Sequence, residues 1–586
     1  MKPRKSFCRR NLPLSPTRSG FCRPPSPQTL CFEDFAPKGG EGGYLSSARS
    51  PRRCSGLFHL IVVLVLAFPS LATQKISSAE AQTGRYFDSI RHDPNLLAAF
   101  LLQMPKGGDL HNHLSGAIYA ETLIQWAKES RDCVDPKTFY LTPSLKLSTG
   151  DPYCPAPTVL AETALANPLL YRDMIDAYSM RNWQVSGQSG HDHFFDTFDK
   201  FGAATHSNTG PMLAETATRA AAQNEIYQEL IFTPTGKAFG DMLNSPGVKA
   251  IRLTDDATAE TLSAMRQALV DNGLSAAIRE ATELTSQAGK ARDAQLKCGT
   301  AEAGPGCRIT QRYLFQVLRG LPKEVVFAQM LLGFELAQAD PRFVGLNMVQ
   351  PEDYYVPMHD FPLHMRMMQY SHAQYPHVHV TLHAGELVEG LVPPEGLRYH
   401  VRESIEMAGA ERIGHGVDTL NETDPLQLLD EMAAKNVMVE ICLTSNDVIL
   451  GVRGKDHPLH DFMRAGVPVA LATDDEGVAR SDMTHEYLRG VQEQDLSYDD
   501  LKRMARTSLE HAFLAGPSLW SDGKAFVPVK DCAGIFSGPA VSASCQKFLD
   551  SSEKARLQFQ LEQQFREFES GKWPTVTAEN PRAGKR

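Results

Sequence analysis

Eight short runs of β-branched and apolar residues recur along the chain. They are DLHNHL (109–114), IYQELIFTP (226–234), EVVFAQML (324–331), VGLNMV (344–349), HVTLHAGE (379–386), RIGHGV (412–417), VMVEICLTS (437–445) and VPVALATDD (467–475). Helical patterns such as ESIEMAGA (403–410) and LQLLDEMAAKN (426–436) fill gaps between them. Alternating strand and helix signals predict an α/β protein, and eight alternations predict a (β/α)8 TIM barrel. An open doubly wound sheet is the alternative. That fold usually carries a Gly-rich phosphate loop, and no loop of that form occurs here.

Polar residues gather at the ends of these runs. His111 and His113 end the first. His383, Ala384, Gly385 and Glu386 end the fifth, and His415 ends the sixth. Ser445 and Asn446 end the seventh, Asp474 and Asp475 the eighth. In a barrel the C-terminal strand ends share one mouth, so these residues converge there. On a strand, residues two apart point to one face, so His111 and His113 project together, away from Leu110, Asn112 and Leu114.

The alternation lapses after a helix at AIYAETLIQWAKES. Residues 131–190 are rich in Pro, Ser and Thr and read as an inserted lobe tied by Cys133 and Cys154. HFFDTFDKFG (193–202) resumes helical spacing with Phe194, Phe198 and Phe201 on one face. That stripe is either an apolar lid over the barrel mouth or a face turned to the core. A helical tail is expected at about 545–570, and KFLDSSEKARLQFQLEQQFREF (547–568) could pack on a partner as a homodimer seam.

Charge changes the picture at the N-terminus. The 586 residues carry a net charge of -10, but residues 1–54 hold eleven Lys/Arg against three Asp/Glu, leaving about -18 on the remainder. An acidic body argues against nucleic acid as a partner. The basic leader, 1–54, reads as disordered or as lying upstream of the true start. LFHLIVVLVLAF (57–68) follows three arginines and precedes PSLAT, so 55–81 reads as a signal peptide cut near Ala72 or Ala81. The run is short for a transmembrane anchor. The expected product, 82–586, is secreted or periplasmic with no stable membrane anchor. Three close cysteine pairs agree with export: Cys133 with Cys154, Cys298 with Cys307, Cys532 with Cys545. Cys442, inside an apolar run, reads as a buried thiol.

His111, His113, His383 and Asp474 form a nitrogen-and-oxygen donor set suited to one Zn2+ per chain. Glu386, three residues after His383, is placed to exchange protons with a bound substrate. His415 is placed to hold or deprotonate the attacking water, and Asp475 to contact substrate or water. Each has a plainer explanation alone: an aspartate pair at a strand end is commonly a helix cap, and paired histidines occur in cores. Placed at the ends of different strands, they are hard to explain as packing.

HNHLSGAI, TLHAGE, RIGHGVD, EICLTSN and ATDDEG together resemble the motif set of the adenosine deaminase family, in order, from about Met104 to His511. MPKGGDLH, the disulfide-tied insertion and the signal segment are more similar to its secreted growth-factor branch. The resemblance implies a zinc barrel that hydrolyses adenosine, or a related adenine nucleoside, to inosine and ammonia at the purine C6 carbon. It implies that Glu386 protonates the neighbouring ring nitrogen, while His415 and Asp475 assist the attack of water activated by zinc. Substrate contacts would come from Ser115, Phe194, Phe198, Gln350 and Asp475. Two departures bear on the substrate. Ser115 stands where many members carry aspartate. VGLNMVQPED resembles a stretch that usually reads DLxG, with Asn347 for the aspartate and Gln350 for the glycine. Hydrolysis of another amino-purine or a cyclic amide is the alternative.

Overall fold

A computed structural model describes residues 78–536, 541–571 and 573. Eight parallel strands form one sheet in sequential order. They are β1 Gly107–His113, β2 Glu225–Phe232, β3 Thr310–Leu318, β4 Phe343–Val349, β5 His379–Ala384, β6 Arg412–His415, β7 Met438–Ile441 and β8 Val469–Leu471. The sheet closes beyond the end of β8. There Asn112 pairs with Asp474, the His113 N–H donates to the Asp474 carbonyl (3.1 Å), and the Asp474 N–H donates to the His111 carbonyl (2.8 Å). The barrel is thus sealed by the same residues that end β1 and follow β8.

Seven of the eight predicted runs coincide with strands. The third does not: 324–331 lies in the helix Lys323–Ala339. That helix is buried on all sides from Val326 to Leu332, so it lacks the polar face that would reveal a helical period. Its Val325–Val326 pair imitates a strand. The true β3, TQRYLFQVL, was hidden by its polar residues, which the fold uses. Gln311 Nε2 donates to Gln228 Oε1 (3.0 Å), and Arg312 pairs with Glu553.

Residues 131–190 build a lobe of short antiparallel strands and helices. Cys133–Val134 pairs with both Leu141–Thr142 and Val159–Leu160, and the Cys133–Cys154 disulfide ties the lobe. Disulfides also join Cys298 to Cys307 and Cys532 to Cys545, while Cys442 is a buried free thiol. The lobe leads into the helix Gly190–Thr205. This helix starts on the Ser189 hydroxyl, which accepts from the Asp192 N–H (2.9 Å), an ordinary N-cap.

The tail forms the helices Ala543–Asp550 and Glu553–Glu569. Leu557, Leu561 and Phe565 are buried. Arg506 grips Glu562 through two hydrogen bonds of 2.7 and 2.8 Å. The apolar face offered by the tail sequence is therefore covered within the chain itself. Residues 78–81, placed in the signal segment by sequence, form the first turn of the helix Ser78–Ile90, where Glu80 pairs with Lys502 (2.7 Å). The basic leader and the apolar run lie outside the described residues.

Candidate active site

The strand ends form the floor of a cavity of about 610 Å3. The Nε2 atom of His383 lies 3.0 Å from that of His111 and 3.0 Å from that of His113. Asp474 Oδ1 lies 3.4 Å from both His111 Nε2 and His113 Nε2. On the far side of each ring, Nδ1 faces an oxygen: Glu440 Oε2 for His111 (2.6 Å), Asn347 Oδ1 for His383 (2.8 Å) and Gln316 Oε1 for His113 (3.3 Å). Those oxygens accept, so each Nδ1 carries the proton and each Nε2 keeps its lone pair. Three lone pairs and a carboxylate aimed at one point repel unless a cation lies between them. The donor set therefore fits a metal ion, with His111, His113, His383 and Asp474 as its ligands.

Local backbone makes this convergence possible. A side chain at Gly414 would put its Cβ 2.6 Å from the His111 ring, so RIGHG needs its glycine to admit that imidazole. At Gly116 a Cβ would lie 1.6 Å from Asp475 Oδ1, so HLSG clears room for that carboxylate. His415 and Asp474 adopt left-handed backbone conformations, φ 69° and 59°, a strain common where side chains are aimed at a site.

The electrostatics follow from burial. Burial opposes charge on His111, yet the hydrogen bonds and charges of Asp474 and Glu440 raise it to about 10. Without metal, one proton thus stands in for the cation. Burial lowers His113 to about 4 and holds His383 well below the usual imidazole range. Asp474 stays ionised despite burial, because His111, His415 and His113 surround it. Glu386 does the opposite: burial, reinforced by Asp474 and Glu352, raises its carboxyl well above the usual range. It therefore holds a proton. Asp475 is raised for the same reasons, burial first and Asp474 next, and its Oδ1 has no hydrogen-bond partner among the described residues. His415 Nε2 lies 3.8 Å from Glu386 Oε1.

Nearly every residue singled out in the sequence reaches this cavity. His113, His383, Glu386, His415, Asp474 and Asp475 line its floor, with His111 beneath them, and Ser115, Phe194, Phe198 and Gln350 line its walls. Phe201 does not: it is buried and packs on Tyr178. Gln350 has φ 91°, a conformation glycine adopts freely, and its Oε1 is held by the Gly320 N–H (2.7 Å). Asn347 is not a wall residue. Its Oδ1 accepts from both the His383 N–H (3.1 Å) and Nδ1–H, which orients that ring.

Sequence reading missed the supports. Glu440 is wholly buried, takes Arg412 Nε (2.7 Å) and Thr381 Oγ1 (2.9 Å) on one oxygen, and holds His111 with the other. A carboxylate in the apolar run VMVEICL was its only signal. Arg319 donates to the His383 carbonyl (3.1 Å), and Glu352 accepts from the Glu386 N–H (2.8 Å), so the HAGE turn is clamped from both sides. Phe195, Asp192, Asp196, Asp199 and Tyr354 complete the rim. A larger recess, about 1140 Å3, lies at the opposite end of the barrel and holds none of this chemistry.

The curated relatives include adenosine deaminases from Shewanella loihica, 37% identical over 137 residues, and Salmonella heidelberg, 35% identical over 156. These alignments cover 23% and 26% of this chain, and 38% and 44% of the relatives, so the chain spans less than half the length of the curated relatives it matches. Among solved structures, an adenine deaminase from Arthrobacter aurescens is 16% identical with a TM-score of 0.43, covering 70% of this chain and 94% of that one. The N6-methyl-AMP deaminase of Arabidopsis thaliana is 20% identical with a TM-score of 0.42, covering 71% and 94%. The sequence profile described as adenosine deaminase matches residues 172–518, more than half of the chain, spanning β2 to β8. With that match, the chain belongs to the adenosine deaminase family.

Proposed function

We propose that this protein is an exported zinc hydrolase that converts adenosine, or a closely related adenine nucleoside, to inosine and ammonia. One observation carries the reading: a buried, protonated Glu386 stands beside three converging imidazole lone pairs and a carboxylate on the floor of one cavity. Three nitrogens and one oxygen suit zinc. When bound by His111, His113, His383 and Asp474, zinc would supply the Lewis acidity that makes water nucleophilic near neutral pH.

The chain's own groups supply the rest. Glu386 gives its proton to the ring nitrogen next to C6, which makes that carbon electrophilic. Water adds at C6; one of its protons passes to the departing nitrogen, which leaves as ammonia, the other restores Glu386, and the carbonyl of inosine remains. Asp475 and His415 face the same space and contact the attacking oxygen and the departing nitrogen. Phe194, Phe195 and Phe198 cover the purine and exclude bulk water. Asp192, Asp196 and Asp199 line the rim; Lys200 pairs with Asp196 (2.6 Å) and His191 with Asp192 (3.1 Å), which leaves Asp199 as the negative charge that disfavours a 5′-phosphate. This favours nucleosides over nucleotides. Gln350 on the wall favours the second reading, another amino-purine or a cyclic amide, because it narrows the cavity where the resemblance expects glycine.

Export is supported by the apolar run before PSLAT and by three disulfides. Cleavage near Ala72 keeps Glu80 on Lys502, whereas cleavage after Ala81 removes that ion pair. N-terminal sequencing of the exported protein decides between them.

The functional test is an absorbance assay with adenosine on purified protein, with bound zinc quantified on the same sample. Loss of the adenosine band with about one zinc per chain supports the reading. Zinc without turnover of adenosine overturns it in favour of other amino-purines or cyclic amides.

A further inference from the structure

Four histidines surround the cluster, yet they do not present the same atom to it. His111, His113 and His383 each carry a proton on Nδ1. His415 is held the other way round, and the cause lies two residues behind it. The Leu459 N–H donates to His457 Nδ1 (3.1 Å), so that nitrogen is a lone pair. Burial holds His457 down at about 4, so near neutral pH its single proton sits on Nε2. His457 Nε2 lies 3.1 Å from Asn446 Oδ1, which must accept. This fixes the amide, and its Nδ2 group faces His415 Nδ1 at 3.0 Å. An amide NH2 only donates. His415 Nδ1 is therefore the lone pair, and Nε2 carries the hydrogen. That Nε2 has no hydrogen-bond partner among the described residues, the nearest carboxylate being Glu386 Oε1 at 3.8 Å, and it lies on the cavity floor.

The rest of the chain keeps this relay rigid. The Asn446 N–H donates to the Cys442 carbonyl (3.0 Å), and the Val452 N–H donates to the Asn446 carbonyl (3.1 Å). Asn446, His457 and His415 are all buried, so no water competes for their hydrogen bonds.

We propose that Asn446 and His457 are positioning residues that lock His415 into the Nε2–H tautomer, making it a hydrogen-bond donor to the reacting centre instead of a fourth imidazole ligand. Distance alone would not separate the two roles: a ligand-capable nitrogen of His415 lies within 4.8 Å of ring nitrogens of His111 and His383 and of a carboxylate oxygen of Asp474. The tautomer does, because a protonated nitrogen has no lone pair for a metal. In that state His415 steadies the developing charge on the attacking oxygen, and the proton to the purine comes from Glu386. The consequence for turnover rests on the deaminase reading; the tautomer does not.

The test is long-range 1H–15N spectroscopy of histidine-labelled, zinc-loaded protein, assigned with single-histidine substitutions. His415 is expected to show a protonated Nε2 and a bare Nδ1. In Asn446→Asp the carboxylate accepts from both neighbours, so the His415 proton moves to Nδ1 and the pattern inverts. His457→Leu frees the amide to rotate. It should give a mixed pattern and cut kcat by roughly a hundredfold, with KM within about twofold and zinc content unchanged. His457→Gln keeps an Nε2–H donor and an acceptor for Leu459, and should recover most of that loss. A wild-type spectrum with the His415 proton on Nδ1 overturns the proposal. So does a His457→Leu protein that keeps both its tautomer and its kcat. If adenosine is not a substrate, the spectra still decide the relay.

Discussion

The floor and the rim of this cavity are built by opposite means. On the floor, each ring is pinned at its far nitrogen, by Glu440, Asn347, Gln316 or Asn446, and the pinning groups are themselves buried or part of the strand ladder. The ends of four separate strands, β1, β5, β6 and β8, contribute, so no single segment can shift without straining the rest. The rim comes mainly from one helix, Gly190–Thr205, entered from the inserted lobe, with Tyr354 from the loop after β4. Its aromatic rings meet edge to face, as Phe194 does Phe198 (5.9 Å) and His191 does Tyr354 (6.0 Å), and Tyr354 is 47% exposed. The floor is preorganised for one chemistry. The rim is an appended surface free to differ in what it admits, the usual division between scaffold and loop.

The largest effect that can separate the two is loss of the proton donor. Glu386→Gln keeps the shape of the floor and its hydrogen-bond clamp but cannot give a proton. Turnover should fall by roughly a thousandfold or more, within the range for general acids, while zinc content and KM change little. Zinc lost along with activity would show that Glu386 belongs to the metal shell.

A smaller effect is expected from the support beneath. Burial works against charge on Glu440, but Arg412 and His111 hold its carboxyl down at about 2, below the ordinary 4.5. A lowered carboxyl contributes stability that is complete above about 4.5 and is lost as the pH falls toward 2, on the order of 3 kcal/mol here. Glu440→Gln removes it and leaves Arg412 buried with Glu229 alone. The metal-free variant should unfold about 3 kcal/mol more easily at neutral pH, with a flatter stability profile on the acid side. Zinc affinity should drop ten- to a hundredfold, as for other groups that orient a ligand. Denaturant titrations at several pH values check the first, and competition with a chelator the second. An unchanged affinity would mean that Asp474 alone orients His111.

This division also explains what the sequence disclosed. The ligands and Glu386 were legible because each ends an apolar strand, where a polar side chain has no packing reason to be. β3 was illegible for the converse reason: Gln311, Arg312 and Gln316 are satisfied inside the barrel wall or against the tail, contacts that depend on the closed fold. The neighbouring helix misled because it is apolar all round. Asn347 stood out only as a departure from the aspartate of the family stretch, and its work is to hold His383, a role that only the turned ring reveals. Asn446 was read as a strand end but lies in the helix Leu443–Leu450 that follows β7, while His457 sits eleven residues on and carried no pattern at all. Phe201 shares a helix face with Phe194 and Phe198, but only the latter two line the cavity, while Phe201 packs on Tyr178.

On the rim, Phe198→Ala should raise KM for adenosine about tenfold, the worth of one aromatic face on a purine, with kcat within about threefold. Phe198 is half-buried, so the fold should tolerate the loss better than at fully buried Phe194. A fall in kcat that outweighed the rise in KM would tie the rim to the chemistry and erase the contrast with the floor.

The smallest expected effect probes charge at the same rim. Asp199 is exposed at the cavity edge, and substituting it reverses a charge without touching the rings. Asp199→Lys should leave the KM of uncharged adenosine within about twofold. Inhibition by AMP should strengthen by about threefold at low salt, and the gain should vanish at high salt, since exposed charges are screened over roughly 10 Å. If AMP binding improves equally at high salt, the lysine contacts the phosphate directly and selectivity is a matter of shape. If adenosine and AMP respond alike, the acidic rim does not discriminate between nucleoside and nucleotide, and the wall residues Ser115 and Gln350 are where selectivity has to be sought.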